Sequence, residues 1–172
     1  MAHERAAAEG AGVAAAGVVS AAAALIEMAA RVSEDWPEAR ATVGQARALH
    51  RRAEALGAEN ARRYSEVLRA FAEPGQADLG AALDHAADIP LRLAETANDV
   101  VLLARHTAEL CAPHVRADVL ASAALAAGAA AATAELVAVN LTALEGDERV
   151  ARARDLADSA RRSAGSAAGA PS

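Results

Sequence analysis

The stretch ADVLASAALAAGAAAATA, residues 117–134, carries no charge after Asp118 and eleven alanines in eighteen positions. Alanine is the strongest helix former, and a run of this kind has no strand alternation. It reads as a helix buried through small side chains. Residues 10–30, mostly Ala, Val and Gly, have the same character, again with one glutamate late in the run (Glu27, as Glu135 follows the first stretch). Both extend to the whole chain: 55 of 172 residues are alanine, and the aromatics are one Trp, one Tyr and one Phe. Aromatic and β-branched residues build strands, so this composition all but excludes a β fold. An all-α domain is expected.

Breakers divide the chain into five helical pieces. The first spans residues 2–32. Ser33-Glu-Asp-Trp-Pro37 is a stop-and-start signal, with the proline in or near a first helical turn. The second runs to 73, with Leu49, Ala53, Leu56, Tyr64, Val67, Leu68 and Phe71 as an apolar stripe. Pro74-Gly75-Gln76 makes a turn. The third spans 78–110 and contains Pro90, which should kink it. Pro113 breaks the chain before a fourth piece, 118–144. A short polar fifth piece covers 148–162. Glu59–Arg63, Glu148–Arg152 and Asp158–Arg162 are spaced as helical ion pairs. The tail, 163–172, is rich in Ser, Gly, Ala and Pro and is expected to be disordered. One domain over 1–162 follows, an up-and-down bundle with pieces one and four central and pieces two and three beside them.

Alanine buries little area, so an isolated bundle gains little from each residue; oligomerisation compensates, and a homodimer is expected. The net charge of −6 and pI near 5.4 argue against broad nucleic-acid binding. The single Cys111 excludes an internal disulfide and suits a reducing cytoplasm. The two apolar runs could imitate membrane or export segments, but Glu4, Glu9, Glu27, Glu135 and Asn140 make buried helices the better reading.

No phosphate loop, dinucleotide turn, HExxH or Glu-x-x-His pair occurs, and His3, His50, His85, His106 and His114 are never three or four apart. No metal site is expected. Polar residues in the apolar pieces draw attention: Asp118 as a helix cap that could also line a pocket, and Asn140 as a possible helix-end cap. Six arginines crowd piece two: Arg47, Arg51, Arg52, Arg62, Arg63 and Arg69. Arg51, Arg62 and Arg69 share a face, which is either a solvated face paired with glutamates or a docking strip for an anion.

Several segments, taken in order, resemble the folate cyclodeaminase/methenyltetrahydrofolate cyclohydrolase family. Gly10-Ala-Gly12, running into a small-residue helix that ends Ile26-Glu-Met28, is similar to its glycine-rich start. Glu59-Asn-Ala-Arg-Arg-Tyr64 resembles its Asp-Ala-x-x-Phe segment. Ala86-Ala-Asp-Ile-Pro-Leu91 resembles its Val-Pro-Leu kink, Ala117-Asp118 its Ser-Asp start, and Val137-Ala-Val-Asn-Leu141 its Asn-containing close. The resemblance implies a five-helix dimeric domain with a tetrahydrofolate derivative bound as substrate near the subunit interface. It implies deamination of formiminotetrahydrofolate or hydrolysis of the methenyl ring. Asp118 would be the remaining catalytic carboxylate, with His114, where the family's Gly-Asn-x-Asn loop reads Cys111-Ala-Pro-His114, taking over proton transfer, and Gly10, Gly12, Asn60, Arg116 and Asn140 would line the substrate. The family's glycine-serine turn reads Glu9-Gly-Ala-Gly-Val13 here, and its second-helix acid falls on Asn60. An amide does not exchange a proton near neutral pH. Two other functions stay open: the same frame turned to another small-molecule reaction, and a non-catalytic helical assembly.

Overall fold

The computed structural model describes residues 10–72, 78–142 and 146–169. Among them there are five α-helices and no strand: α1 Ala11–Arg31, α2 Ala39–Ala72, α3 Leu79–Leu110, α4 Arg116–Asn140 and α5 Glu148–Gly169, with a 3-10 turn Pro113–Val115 ahead of α4. The expected start of piece one, the turn at 74–76 and the end of the tail lie outside the described residues.

Consecutive helices run antiparallel, joined by short connections. α1 packs on α2 and α4, and α4 packs on α3 and α5. The expectation that α1 and α4 lie together at the centre holds. The placing of piece three does not, because α3 packs against all four other helices. The reason is its apolar content. Ile89, Leu93, Val100 and Val101 are buried on it beside Ala87, Ala94, Ala97 and Ala104, so it presents core on several sides. Pro90 sits inside this helix, fully buried. Asp78 caps its start by accepting from the Ala81 amide at 3.1 Å.

The core is built largely from methyl groups. Ala22, Ala23, Ala29, Ala46, Ala53 and Ala126 are wholly buried. Small side chains let helices approach closely: the Cβ of Ala16 lies 3.0 Å from where a Cβ on Gly57 would be. Several buried hydroxyls find backbone partners, while Trp36 Nε1 and Asn98 Oδ1 are buried without one among the described residues. Thr96, Thr107 and Thr133 donate back to carbonyls of their own helices, and Ser122 Oγ donates across to Ala22 O at 2.8 Å.

Five local expectations change. Glu59 pairs with Arg92 at 3.2 Å, while Arg63 pairs with Glu66. Arg152 pairs with Glu95 and Asp158 with Arg161, so neighbouring helices and other spacings win over the i,i+4 partners. The last helix continues to Gly169 instead of ending at Arg162. Ala167 is buried there, so packing outweighs the Ser/Gly content of 163–169. The apolar stripe of α2 is covered only in part. Ala53, Leu56 and Val67 are buried, but Tyr64, Leu68 and Phe71 are exposed, Phe71 by 63%. α1 begins opposite Tyr64, and α2 runs on past it.

Candidate functional site

The residues proposed from the sequence fall at two ends of the bundle. At one end, α1 meets α2 backbone to side chain. A Cβ built on Gly12 would lie 2.5 Å from both amide atoms of Asn60. No residue but glycine fits there unless Asn60 moves. Two residues earlier, a Cβ built on Gly10 would lie 3.8 Å from the ring of Tyr64, an ordinary contact. The Asn60 amide is half-buried and has no hydrogen-bond partner among the described residues. Asn140 is the last residue of α4, also half-buried and unpartnered. It makes no capping bond, and Leu141 closes the helix.

At the other end, the 3-10 turn carries His114, exposed on the rim of a cavity of about 590 Å³. Glu34, Asp35, Trp36 and Cys111 also line it. Ser33 latches this end: its hydroxyl donates to Ala29 O at 2.7 Å and accepts from the Ala112 amide at 2.9 Å. Trp36 is buried with its ring edge-on to His106, the centroids 6.1 Å apart. Burial pushes the Cys111 thiol up, which suits a packing role. Asp118 is the third residue of α4. Val115, not Asp118, is the N-cap, because the helix starts two residues earlier at Arg116. The Asp118 carboxylate is half-buried in the first turn, where the helix dipole favours a negative charge. Arg116 reaches the Ala108 carbonyl at 3.3 Å and the Ala167 carbonyl at 3.4 Å. It therefore ties α3, α4 and α5 together, whatever it does for a substrate.

The Ser122–Ala22 bond fixes the register between α1 and α4. At 1.5 Å per residue, Gly12 lies about 15 Å to one side of that bond and Asp118 about 6 Å to the other, so roughly 21 Å separates them along the bundle. Asn140 lies at the Gly12 end, roughly 12 Å past Gly12. One chain thus assembles Gly10, Gly12 and Asn60, and separately assembles His114, Arg116 and Asp118.

Several polar arrangements had no sequence signal, because their partners lie far apart in the chain. Arg149 holds Asp84, Asp88 (3.0 Å) and Asp147 (2.7 Å) at once, pinning α5 to α3. Its hydrogen bonds pull the Asp147 carboxyl down to about 2. His50 Nδ1 lies 3.0 Å from Ser20 Oγ, and its Nε2 lies 3.5 Å from Glu54. A groove of about 480 Å³ between α2 and α3 is lined by Leu49, Leu102, Leu103, His106 and Asp99. Burial raises the Asp99 carboxyl there, against the pull of Arg52. Among the described residues no group of three or more His, Cys, Asp or Glu could hold a metal ion.

The outward side of α1 and α4 is smooth and apolar. Gly17, Ala21 and Ala24 of α1 and Ala124, Leu125 and Gly128 of α4 are all exposed. Both helices are long and apolar enough to cross a membrane by length and composition, yet about half of each is buried against this chain's other helices.

The sequence model of one family, formiminotransferase-cyclodeaminase, matches residues 1–159. A solved structure, formiminotetrahydrofolate cyclodeaminase from Thermotoga maritima, superposes with a TM-score of 0.79. It is 19% identical in sequence, and the match covers 92% of this chain and 83% of that one. No curated protein matches.

Proposed function

Because the chain belongs to the formiminotransferase-cyclodeaminase family, whose function is folate-related and cyclodeaminase-like, we propose that it acts on a one-carbon tetrahydrofolate derivative. The reaction is hydrolysis of the methenyl ring or deamination of the formimino group. The observation that carries this reading is the contact of Gly12 with Asn60. The glycine turn and the second helix meet at a point where only backbone and an amide fit, leaving the half-buried Asn60 amide free to bond a ligand.

Both reactions pass through a carbon that bears cationic, amidinium-like character. A carboxylate beside it lowers the barrier by stabilising that charge, and a neighbouring imidazole can move a proton to or from water or the leaving amine. Asp118 and His114 are the groups of that chemistry here, and they lie roughly 21 Å from Gly12 in one chain. A homodimer resolves the separation. Two copies joined through the small-residue face of α1 and α4, about a twofold axis perpendicular to the helices, bring opposite ends together. The partner subunit's Asp118 and the partner subunit's His114 then approach the Gly12–Asn60 end. Close approach of glycine and alanine faces supplies the apolar burial that each alanine-rich protomer lacks.

The test is loss of near-ultraviolet absorbance of methenyltetrahydrofolate against a no-enzyme blank, with a binding titration on the same samples. Turnover supports the reading. Absence of both binding and turnover sinks it. Asn60 favours one second reading, the same frame serving another small-molecule reaction, since an amide there binds but does not exchange a proton. Neither binding nor turnover would point to it, whereas binding without turnover would mean a folate pocket that lacks its acid, which Asn60→Asp then tests.

A further inference from the structure

α2 carries a line of unpaired arginines on the outside of an acidic protein. Of its arginines, Arg47 pairs with Glu27 at 2.8 Å, Arg52 with Glu95 and Asp99, and Arg63 with Glu66. Arg40, Arg51, Arg62 and Arg69 are exposed and make no ion pair or hydrogen bond among the described residues. Their spacings are eleven, eleven and seven residues, close to whole numbers of helical turns, so the four share one face. The line is about 43 Å long, with about 16 Å between successive charges over most of it. Between them the same face shows the small exposed residues Gly44, Ala55, Ala58 and Ser65, with Arg47, turned to Glu27, inside its edge and Glu54 at its border. A Cβ on Gly44 would meet nothing within 4 Å.

From this placement we infer that the outer face of α2 docks an acidic helix of a partner protein. Small residues between the cations let a second helix backbone come close, and ridges of small side chains set the tightest helix pairs. The cations then meet carboxylates repeated at the same three-turn interval. A nucleic acid fits less well. Its phosphates lie far closer together than the three-turn spacing of these cations, and this face has no aromatic side chain for bases to stack on.

The test is fluorescence anisotropy with a labelled helical peptide bearing glutamates every eleven residues on one face. It is run at about 10 mM salt, where the screening length is ~30 Å. The intact protein should bind it, and a peptide of equal composition with glutamates scattered round the helix should bind much less. The triple variant Arg51→Gln, Arg62→Gln, Arg69→Gln should lose about tenfold in affinity. The variant Arg52→Gln, Arg63→Gln, Arg92→Gln removes the same charge from ion-paired positions off this face and should stay within about twofold. Circular dichroism and melting confirm that each variant is folded. Equal loss in both variants, equal binding of the two peptides, tighter binding of a single-stranded oligonucleotide, or no binding at all would overturn the inference.

Discussion

Gly12 and Asn60 exclude one another's side chains: a single added methyl at position 12 would overlap the whole Asn60 amide, with its carbon at 2.6 Å. The two residues therefore act as one unit, and their effects should not add. Gly12→Ala should destabilise the fold by about 1–3 kcal/mol through overpacking and displace the amide. In an Asn60→Ala background the same change should cost much less. A double-mutant cycle by urea denaturation measures the coupling, and additive effects would show that the amide swings away freely.

The latch at Ser33 closes the other end. Its hydroxyl is the partner of the Ala112 amide, and Ser33 is buried while Ala112 is half-buried. Ser33→Ala leaves that N–H unpaired and should cost about 1–3 kcal/mol. Thermal unfolding should show a drop of roughly 2–4 °C for each kcal/mol lost in a chain of this size. No shift in melting would mean the connection before α4 is held by other contacts.

Acid should act through the Arg149 clamp. Asp147 ionises near 2 when folded, below its ordinary value of 3.8. A depressed carboxyl adds stability above its unfolded pKa and loses it as pH falls through the folded one. The stability gap between the protein and Asp147→Asn should be constant above about pH 5 and close between about pH 4 and pH 2. A gap unchanged across that window would assign the acid sensitivity elsewhere.

The proposed dimer rests on a face that can be spoiled without touching the protomer. A Cβ at Gly17 or Gly128 meets nothing within 4 Å. Gly128→Glu should leave helicity intact, since glycine is the poorer helix former. It should halve the mass seen by light scattering. If Asp118 and Gly12 of different copies share a substrate, folate turnover should fall with the dimer. A variant that stays dimeric, or a wild-type protein that is monomeric, would refute this assembly.

The fold was legible because alanine content and breakers are local signals. Pro37, Asp78 and Pro113 mark helix limits almost to the residue, since each acts on its own backbone. The role of α3 was not legible, because a helix's centrality depends on what surrounds it. Nor was the exposure of Tyr64, Leu68 and Phe71, which reflects where α1 starts and not their own spacing. The sequence segments at Gly10–Gly12 and Asn60 did converge, while Asp118 and His114 did not join them. That separation follows from the parity of antiparallel helices: Gly12 opens the first and Asn60 lies late in the second, at one end, while Asp118 opens the fourth, at the other. The Arg149 clamp joins residues more than sixty positions apart and leaves no periodic trace.

A core of methyl groups also reverses the usual direction of mutational risk. In most interiors the damaging change removes volume and leaves a void. Here Ala22, Ala23, Ala29, Ala46, Ala53 and Ala126 have one carbon left to lose and no space to gain. Drift by single nucleotide changes, which turns alanine into valine, threonine, serine or a charged residue, will mostly push helices apart. The protein's tolerated variation should therefore concentrate on the exposed faces of the helices, while these buried alanine positions remain confined to the smallest side chains.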